Sequence, residues 1–273
     1  MKKQSALFLI YLALILGGVI MIFPYFWMIS SAFKTAAEVA TTPPTWIPST
    51  FQLENFLYVM ETIPLVRYFF NSLTVTISCV AITTFTSILA GFAFSRLHFS
   101  GRDVIFSCCL ALMMVPFEML TITNYATLAS WKLVDTRIGL IIPFCASIFY
   151  TYILRNSFFA IPDSLYWSAR TDGASNWKYL WRIMVPIAKP TISTIMLLNT
   201  ITAWNSFIWP LLIINSRNNR TLPLGLYSFI TEGGVRYERL MAASTMVVLP
   251  VILLFLALRR QIVSGIASGG MKG

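Results

Sequence analysis

Few groups in this sequence have chemistry to offer. Glu118 is the one ionisable side chain in the long apolar stretch Val104–Trp131. A carboxylate among apolar side chains is costly, so it either faces a cavity or partner or makes a structural hydrogen bond inside a helix bundle. Trp204 and Asn205 adjoin in a second apolar stretch. An amide beside an aromatic plane suits a sugar, whose hydroxyls need hydrogen bonds and whose C–H face packs on a ring. The other reading of Asn205 is a buried amide bonding one helix to its neighbour. His98 stands alone in a short basic segment, where it is solvated or faces a phosphate. Cys79, Cys108, Cys109 and Cys145 show no metal-ligand spacing and read as small buried hydrophobes. An enzyme would need His, Asp or Glu clustered across facing elements. The expectation is therefore no catalytic residue, no metal and no cofactor bound by this chain. No G-x-x-x-x-G-K-[ST] occurs, so a nucleotide would be handled elsewhere.

The elements that position these groups follow from composition. Of 273 residues 57% are hydrophobic and only 11% charged, against about 25% charged in an ordinary soluble domain. That surplus has no core of its own to enter, so lipid is its solvent. A span needs roughly 20 apolar residues, and gaps between charges supply six candidates: Gln4–Phe33, Tyr68–Ser95, Val104–Trp131, Ile138–Leu154, Pro190–Ser216 and Leu240–Leu258. The fold class expected is all-α integral membrane, with six transmembrane helices. The first stretch begins at Lys2 and Lys3 and ends near Ser30-Ser31-Ala32, as a signal peptide could. Its apolar run is about twice the length of a signal h-region, so a retained helix is expected.

Net charge +10 could suggest nucleic acid, but its distribution points to a membrane. With Lys2 and Lys3 inside, the inner segments also hold Arg96, Arg102, Arg155, Arg170, Lys178, Arg182, Lys189, Arg259, Arg260 and Lys272, against Asp103, Asp163 and Asp172. The outer segments are nearly balanced. This positive-inside bias puts both termini and the segment Arg155–Lys189 in the cytoplasm, in a multi-pass protein of the cell membrane.

Connections differ in character. Lys34–Arg67 holds the Pro-rich run Thr42–Pro48, which favours extended chain, with a short helix at Glu54–Met60. In the outer segment Arg217–Arg239, Gly233-Gly234 suggests a turn. Arg155–Lys189 is long for a loop and carries pattern. Pro162 fits a first helical turn and Asp172-Gly173 interrupts. Trp177, Leu180, Trp181 and Met184 then share one helical face until Pro186 and Pro190 end it. Two short helices at the inner surface either anchor in headgroups or dock a cytoplasmic partner; periodicity does not choose.

Several stretches carry a resemblance. Asp172-Gly173-Ala174, followed by Trp181-Arg182-Ile183-Met184-Val185-Pro186, resembles the EAA loop of ATP-binding-cassette import permeases. That loop has the form EAA, three residues, glycine, and later a hydrophobic-x-x-proline ending. Gly173 and Pro186 fit; the start is Trp167-Ser168-Ala169, so the glutamate is missing and only the last alanine is kept. Asn71-Ser72-Leu73, Ala90-Gly91-Phe92-Ala93-Phe94-Ser95-Arg96, Met113-Met114-Val115-Pro116, Trp204–Pro210, Leu222–Leu226, Met241–Ser244 and Gln261–Gly265 with Gly270–Gly273 occur in the order of the smaller permease subunit of maltose-type carbohydrate importers.

The resemblance implies one transmembrane domain over 1–273, a core five-helix permease region at 68–258 and a cytoplasmic coupling loop at 160–190. It implies half of a translocation pore for a sugar or oligosaccharide. Its partners would be a second homologous permease, a homodimeric cytoplasmic ATPase carrying ATP and Mg, and an extracytoplasmic sugar-binding protein. Ala169, Asp172, Gly173, Ala174, Trp177 and Pro186 would couple to the ATPase. In that reading Gly173 is left-handed, Asp172 or Ser175 caps the second helix, Ala169, Gly173 and Ala174 form a small knob, and Trp177 and Trp181 anchor the helix on the bundle. Glu118, Trp204 and Asn205 are the path candidates. Gln261, Gly265, Gly270 and Lys272 would reach the ATPase. An ATP-independent channel or secondary transporter is the alternative, as is ABC import of a non-sugar solute such as glycerol phosphate.

The topology has a direct test. A Ser175→Cys variant should react with a membrane-impermeant thiol reagent only in inverted vesicles or opened cells. Labelling from outside intact cells overturns the orientation.

Overall fold

The computed structural model describes residues 2–231, 234–250 and 252. The chain divides into two units, Met1–Val66 with Gly225–Ile252, and Arg67–Leu224 with Leu253–Gly273.

In the first unit α1 (Lys2–Ala32) is a single unbroken helix. Its apolar window within Leu7–Ala32 has a mean hydropathy of 2.6 and none of it is buried. A helix this apolar on every side needs lipid or a partner around it. The helix end leaves orphan carbonyls, and Asn55 supplies donors: its Nδ2 reaches Ala32 O and Lys34 O, both at 2.9 Å. Asn55 lies on α3 (Glu54–Thr62), so the end of α1 is stitched to α3. The Pro-rich run is not helical, as expected, but a one-turn helix, α2 (Ala36–Val39), precedes it behind a Thr35/Glu38 capping box. Hydrogen bonds from the Ser49 hydroxyl and from the Thr35 and Ser49 amides hold the Glu38 carboxyl at about 2. Lys34 Nζ donates to Thr45 O at 2.5 Å and sits 4.2 Å from the centre of the Trp27 ring. A short antiparallel pair, β1 (Ile230–Thr231) with β2 (Gly234–Val235), has the register Ile230↔Val235; the expected turn near Gly233-Gly234 falls partly on residues 232–233, outside the described residues. The described fold is therefore mostly helical rather than all-α. Helix resumes over 237–250; the remainder of the sixth apolar stretch lies outside the described residues.

The second unit is organised on α4 (Leu65–Arg96), a continuous rod of 32 residues. Its neighbours are broken, which departs from the continuous spans expected. Val104–Trp131 forms α5 (Arg102–Leu112) and α6 (Phe117–Ser130), bent 98° apart. Pro116 has no N–H and drives Val115 out of helical geometry. Ile138–Leu154 becomes α7 (Arg137–Ile141), continued by a tight turn to Phe144, and α8 (Ile148–Phe159); the bend is 46° and Ser147 caps α8. The fifth stretch holds α12 (Lys189–Trp204) and α13 (Ile208–Ile213), separated at Asn205–Phe207. By length and composition, the described residues contain two helices able to cross a membrane and three bent pairs able to do so if each pair is one span.

Polar side chains of α4 serve the α7–α8 break and the chain beyond α13. Thr86 Oγ1 donates to Cys145 O at 2.7 Å, and Thr83 Oγ1 donates to Phe144 O. Asn71 Nδ2 donates to Asn218 O and Arg220 O, and Ser72 Oγ accepts from Leu222 N at 2.8 Å. In the loop before α7, Asp135 accepts from Ser216 N, Ser216 Oγ and Asn215 N. Desolvation pushes its carboxyl up, and these bonds outweigh it, holding it below the ordinary carboxylate value.

At Gly91 α4 approaches α8 closely. A Cβ there would lie 3.0 Å from Leu154 Cβ and 3.2 Å from Arg155 N. Small residues let helices meet at backbone distance in lipid, where dispersion rather than hydrophobicity drives contact. Gly91→Ala should lower the thermal midpoint in detergent modestly. Gly91→Leu should cost about 1–3 kcal/mol or more through overpacking. Equal midpoints for the two variants and the parent would refute the close contact.

Candidate functional site

The interrupted segment folds as two helices around one turn. α9 (Asp163–Thr171) follows Pro162, with Asp163 favourably placed in its first turn. Gly173 has φ +74°, the left-handed conformation in which a Cβ costs about 1–2 kcal/mol. Gly173 N–H bonds to Arg170 O at 3.0 Å, and Ala174 N–H to Ala169 O at 2.9 Å, which is the Schellman closure. Ser175 then caps α10 (Asn176–Tyr179) by accepting from Lys178 N at 3.2 Å. Asp172 ends the first helix and does not cap the second.

Three expectations about this loop are corrected. Ala169 and Ala174 do not form a knob; they are buried, at 6% and 9% exposure, against Tyr179, Leu180 and Met184. The Schellman closure itself turns them inward, because it brings the residue beyond the glycine back onto the last full turn. Only Gly173 is at the surface, and a Cβ there would have no atom within 4 Å. Trp177 does not anchor the helix: it is 59% exposed and touches Trp181 edge-on, while Trp181 stacks on Phe85 of α4. Pro186 does not end the helix. Leu180–Met184 is a π-helical turn in which Val185 N–H reaches back to Leu180 O. It continues into α11 (Val185–Ile187), and the chain bends 79° before α12, where Pro190 occupies the first turn. The wide turn absorbs the bond that Pro186 cannot donate. It also rotates the buried face, so that Tyr179 joins Leu180 and Met184 inside.

The loop is tied to α4 at one charged point that composition does not reveal. Arg96, the last residue of α4, is 6% exposed. Its Nη2 donates to Phe158 O at 2.7 Å and to Ile161 O, and its Nη1 pairs with Asp163 Oδ1. Read as one inner cation among twelve, Arg96 had no distinguishing signal except its place at the end of an apolar run. His98 lines a cleft of about 380 Å³ with Arg96, Arg102, Asp163, Tyr166 and Trp167. Arg155 turns from solvent to lie 4.1 Å from the Phe106 ring centre and 3.4 Å from Asp103.

The path candidates are not brought together. Glu118 is exposed in the first turn of α6, directly after the break, and makes no hydrogen bond or ion pair among the described residues. Phe117 beside it turns inward, with ring centres 5.0 Å from Phe144 and 5.8 Å from Trp209. Trp204 and Asn205 separate at the end of α12. Trp204 is buried against Phe69, with ring centres 5.8 Å apart, whereas Asn205 is exposed. The helix-glue reading of Asn205 has no partner amide or carbonyl among the described residues. The buried amide of this helix is Asn199, a residue the sequence reading passed over. Among the described residues its Nδ2 has no partner, nor has Thr221 Oγ1, and both line a recess of about 60 Å³ with Ser72, Thr202, Ser206 and Trp209. Cys79 is in the core, Cys109 and Cys145 are half-buried and Cys108 is exposed. Gln261, Gly265, Gly270 and Lys272 lie outside the described residues.

Comparison with known proteins agrees with this architecture. The family described as binding-protein-dependent transport system inner membrane component matches residues 82–267. The arabinooligosaccharides transport system permease AraQ of Halalkalibacterium halodurans is 31% identical over 257 residues, covering 93% of this chain and 92% of that protein. The lactose transport system permease LacG of Rhizobium radiobacter is 28% identical, covering 93% of each. Among solved structures, a chain of a bacterial ABC transporter involved in import of the acidic polysaccharide alginate superposes with TM-score 0.81 at 22% identity, covering 94% of this chain and 97% of that one.

Proposed function

Because the chain belongs to the family of binding-protein-dependent transport system inner membrane components, we propose that it forms half of the pore of an ATP-binding-cassette importer for a sugar or oligosaccharide. The observation that carries the reading is the α9–Gly173–α10 turn. It presents one bare left-handed glycine at the surface and backs it with a buried apolar cluster continuous with α4, α8 and α12. A surface that must move a pore needs both features: a partner can approach closely, and the turn cannot deform without moving the helices behind it.

In this reading the chain is a transport subunit of the inner membrane. A second, homologous permease completes the pore and a separate ATPase dimer docks at Gly173. An extracytoplasmic binding protein delivers the substrate. The relatives named for arabinooligosaccharide and lactose transport support an oligosaccharide cargo. Six spans follow if α1, α4, α5 with α6, α7 with α8, and α12 each cross once and the helix at 237–250 begins the last; both termini then share one side, which the positive-inside bias makes cytoplasmic. With the glutamate of the EAA start replaced by Trp167, contact there is apolar and aromatic rather than ionic.

Two substitutions test the assignment. Gly173→Leu strains the turn and obstructs close approach, and the variant should insert normally while the ATPase detaches or hydrolyses ATP without transport. Gly173→Asn, which tolerates the left-handed conformation, separates the effects: if approach matters it too uncouples. Full transport by Gly173→Leu, with the ATPase co-purifying at the parent level, removes the docking assignment.

Asn205 tests the path. Asn205→Leu should lower transport and leave assembly and basal ATP hydrolysis in place, with a loss of about 1–3 kcal/mol for one or two hydrogen bonds to cargo. Failure to assemble instead assigns the exposed amide to the contact with the second permease.

A further inference from the structure

We propose that Arg96 and Asp163 form a releasable latch through which displacement of α9 is transmitted to α4, making Arg96 a positioning residue for alternating access. The inference rests on the docking reading of the Gly173 turn. It adds the point at which that turn grips the longest helix of the pore unit.

The two kinds of bond made by Arg96 are unequal. Those to Phe158 O and Ile161 O lie at the C-terminal end of α8, among the orphan carbonyls where a cation is favoured. The Arg96 side chain is 5% exposed, so these bonds are shielded from water. They fix the end of α4 to the end of α8, as Gly91 fixes the same two helices one turn further in. The Asp163 carboxylate is different: it is 77% exposed. An exposed partner gains little from an ion pair, because water replaces the lost cation. Asp163 therefore does little to hold the fold, while Arg96 keeps its two carbonyl bonds from Nη2 if α9 lets go.

The pair is also the sole directional tie. Among the described residues it is the one side-chain hydrogen bond or ion pair by which α9 reaches outside its own loop. Tyr166 bonds Asn176, Arg170 bonds Ala174 O, and Thr171 bonds Trp167 O, all within the loop. The remaining holds on α9 are apolar packing through Ala169 and Tyr166, which resists separation but not sliding, and the chain through Pro162 to Ile161, whose carbonyl Arg96 also holds and about which α9 can still slide. A charge-assisted bond has direction and resists both. With the latch closed, α9 and α4 move as one body; with it open, α9 slides over the cluster.

The experiment uses the full complex of both permeases and the ATPase dimer, with ATP as the only added ligand. Spin labels at Ser168→Cys on α9 and Ile77→Cys on the exposed side of α4 report the α9–α4 distance by pulsed electron resonance. With Asp163 present, the distance distribution should be the same without nucleotide and with ATP bound. Asp163→Asn should leave assembly and the thermal midpoint unchanged, shift or broaden the distribution when ATP binds, and retain ATP hydrolysis. Asp163→Glu should restore the single distance. An Asp163→Asn complex with one distance in both states overturns the latch. So does an Asp163→Asn complex that loses its midpoint or assembly as Arg96→Gln does, since the pair is then structural. Failure of the docking reading shows separately, as full transport by Gly173→Leu with the ATPase co-purifying at the parent level.

Discussion

A backbone amide or carbonyl in hydrocarbon must find a bond inside the protein, and α4 is how this chain meets that demand. Its neighbours are broken three times, and each break frees backbone groups that a straight helix would have satisfied. Thr83 and Thr86 cover the carbonyls at the α7–α8 break, Arg96 those at the end of α8, and Asn71 and Ser72 the backbone at 218–222. A continuous helix punctuated by hydroxyls, an amide and a guanidinium is the rod on which bent elements can exist at membrane depth. The break at Met113–Val115 bonds itself differently, through successive three-residue turns at 3.1, 3.1 and 3.2 Å. That leaves α6 freer of α4 than α8 is.

Much of this was legible as composition and little of it as geometry. Gaps between charges located the apolar stretches, because a charge in lipid costs too much to be placed casually. They could not locate the breaks, because a bent pair and a straight span have the same hydropathy. Pro116 was a visible signal for one bend. The α7–α8 bend had a proline too, Pro143 in the turn before it, but its exposed carbonyls depend on Thr83 and Thr86 from a stretch some sixty residues away. The polar residues of α4 looked like tolerated exceptions in an apolar helix when they are partners for other helices.

The coupling turn shows the same division. A glycine after Asp172 signalled a left-handed residue, and φ at Gly173 is +74°. Small residues on either side suggested a small protruding surface. That inference treated sequence neighbours as spatial neighbours, and the closure of the turn places Ala169 and Ala174 under it instead. Helical periodicity put Trp177 with Leu180, Trp181 and Met184. The π-helical turn at Leu180–Met184 changed the period by one residue and moved Tyr179 inside in its place. Such a wide turn is not encoded by a periodic pattern; here it coincides with Pro186, whose missing N–H makes an ordinary turn incomplete.

Burial of the small residues beneath Gly173 also decides how force can travel through the proposed docking turn. A protruding loop on a flexible stem would bend when pushed. This one is closed by two backbone bonds, capped by Ser175, and packed on a cluster whose members come from α4, α8, α9, α10 and α12. Close-packed cores switch between arrangements rather than deforming continuously. From α10 the path runs through the wide turn into α11 and, across the 79° bend, into α12. At the far end of α12 the helix stops at Trp204, with Asn205 exposed and Asn199 in the polar recess. A tilt of α10 therefore reaches the end of α12 through covalent chain and buried contacts alone. The bend at Ala188 turns the direction of that path by 79°.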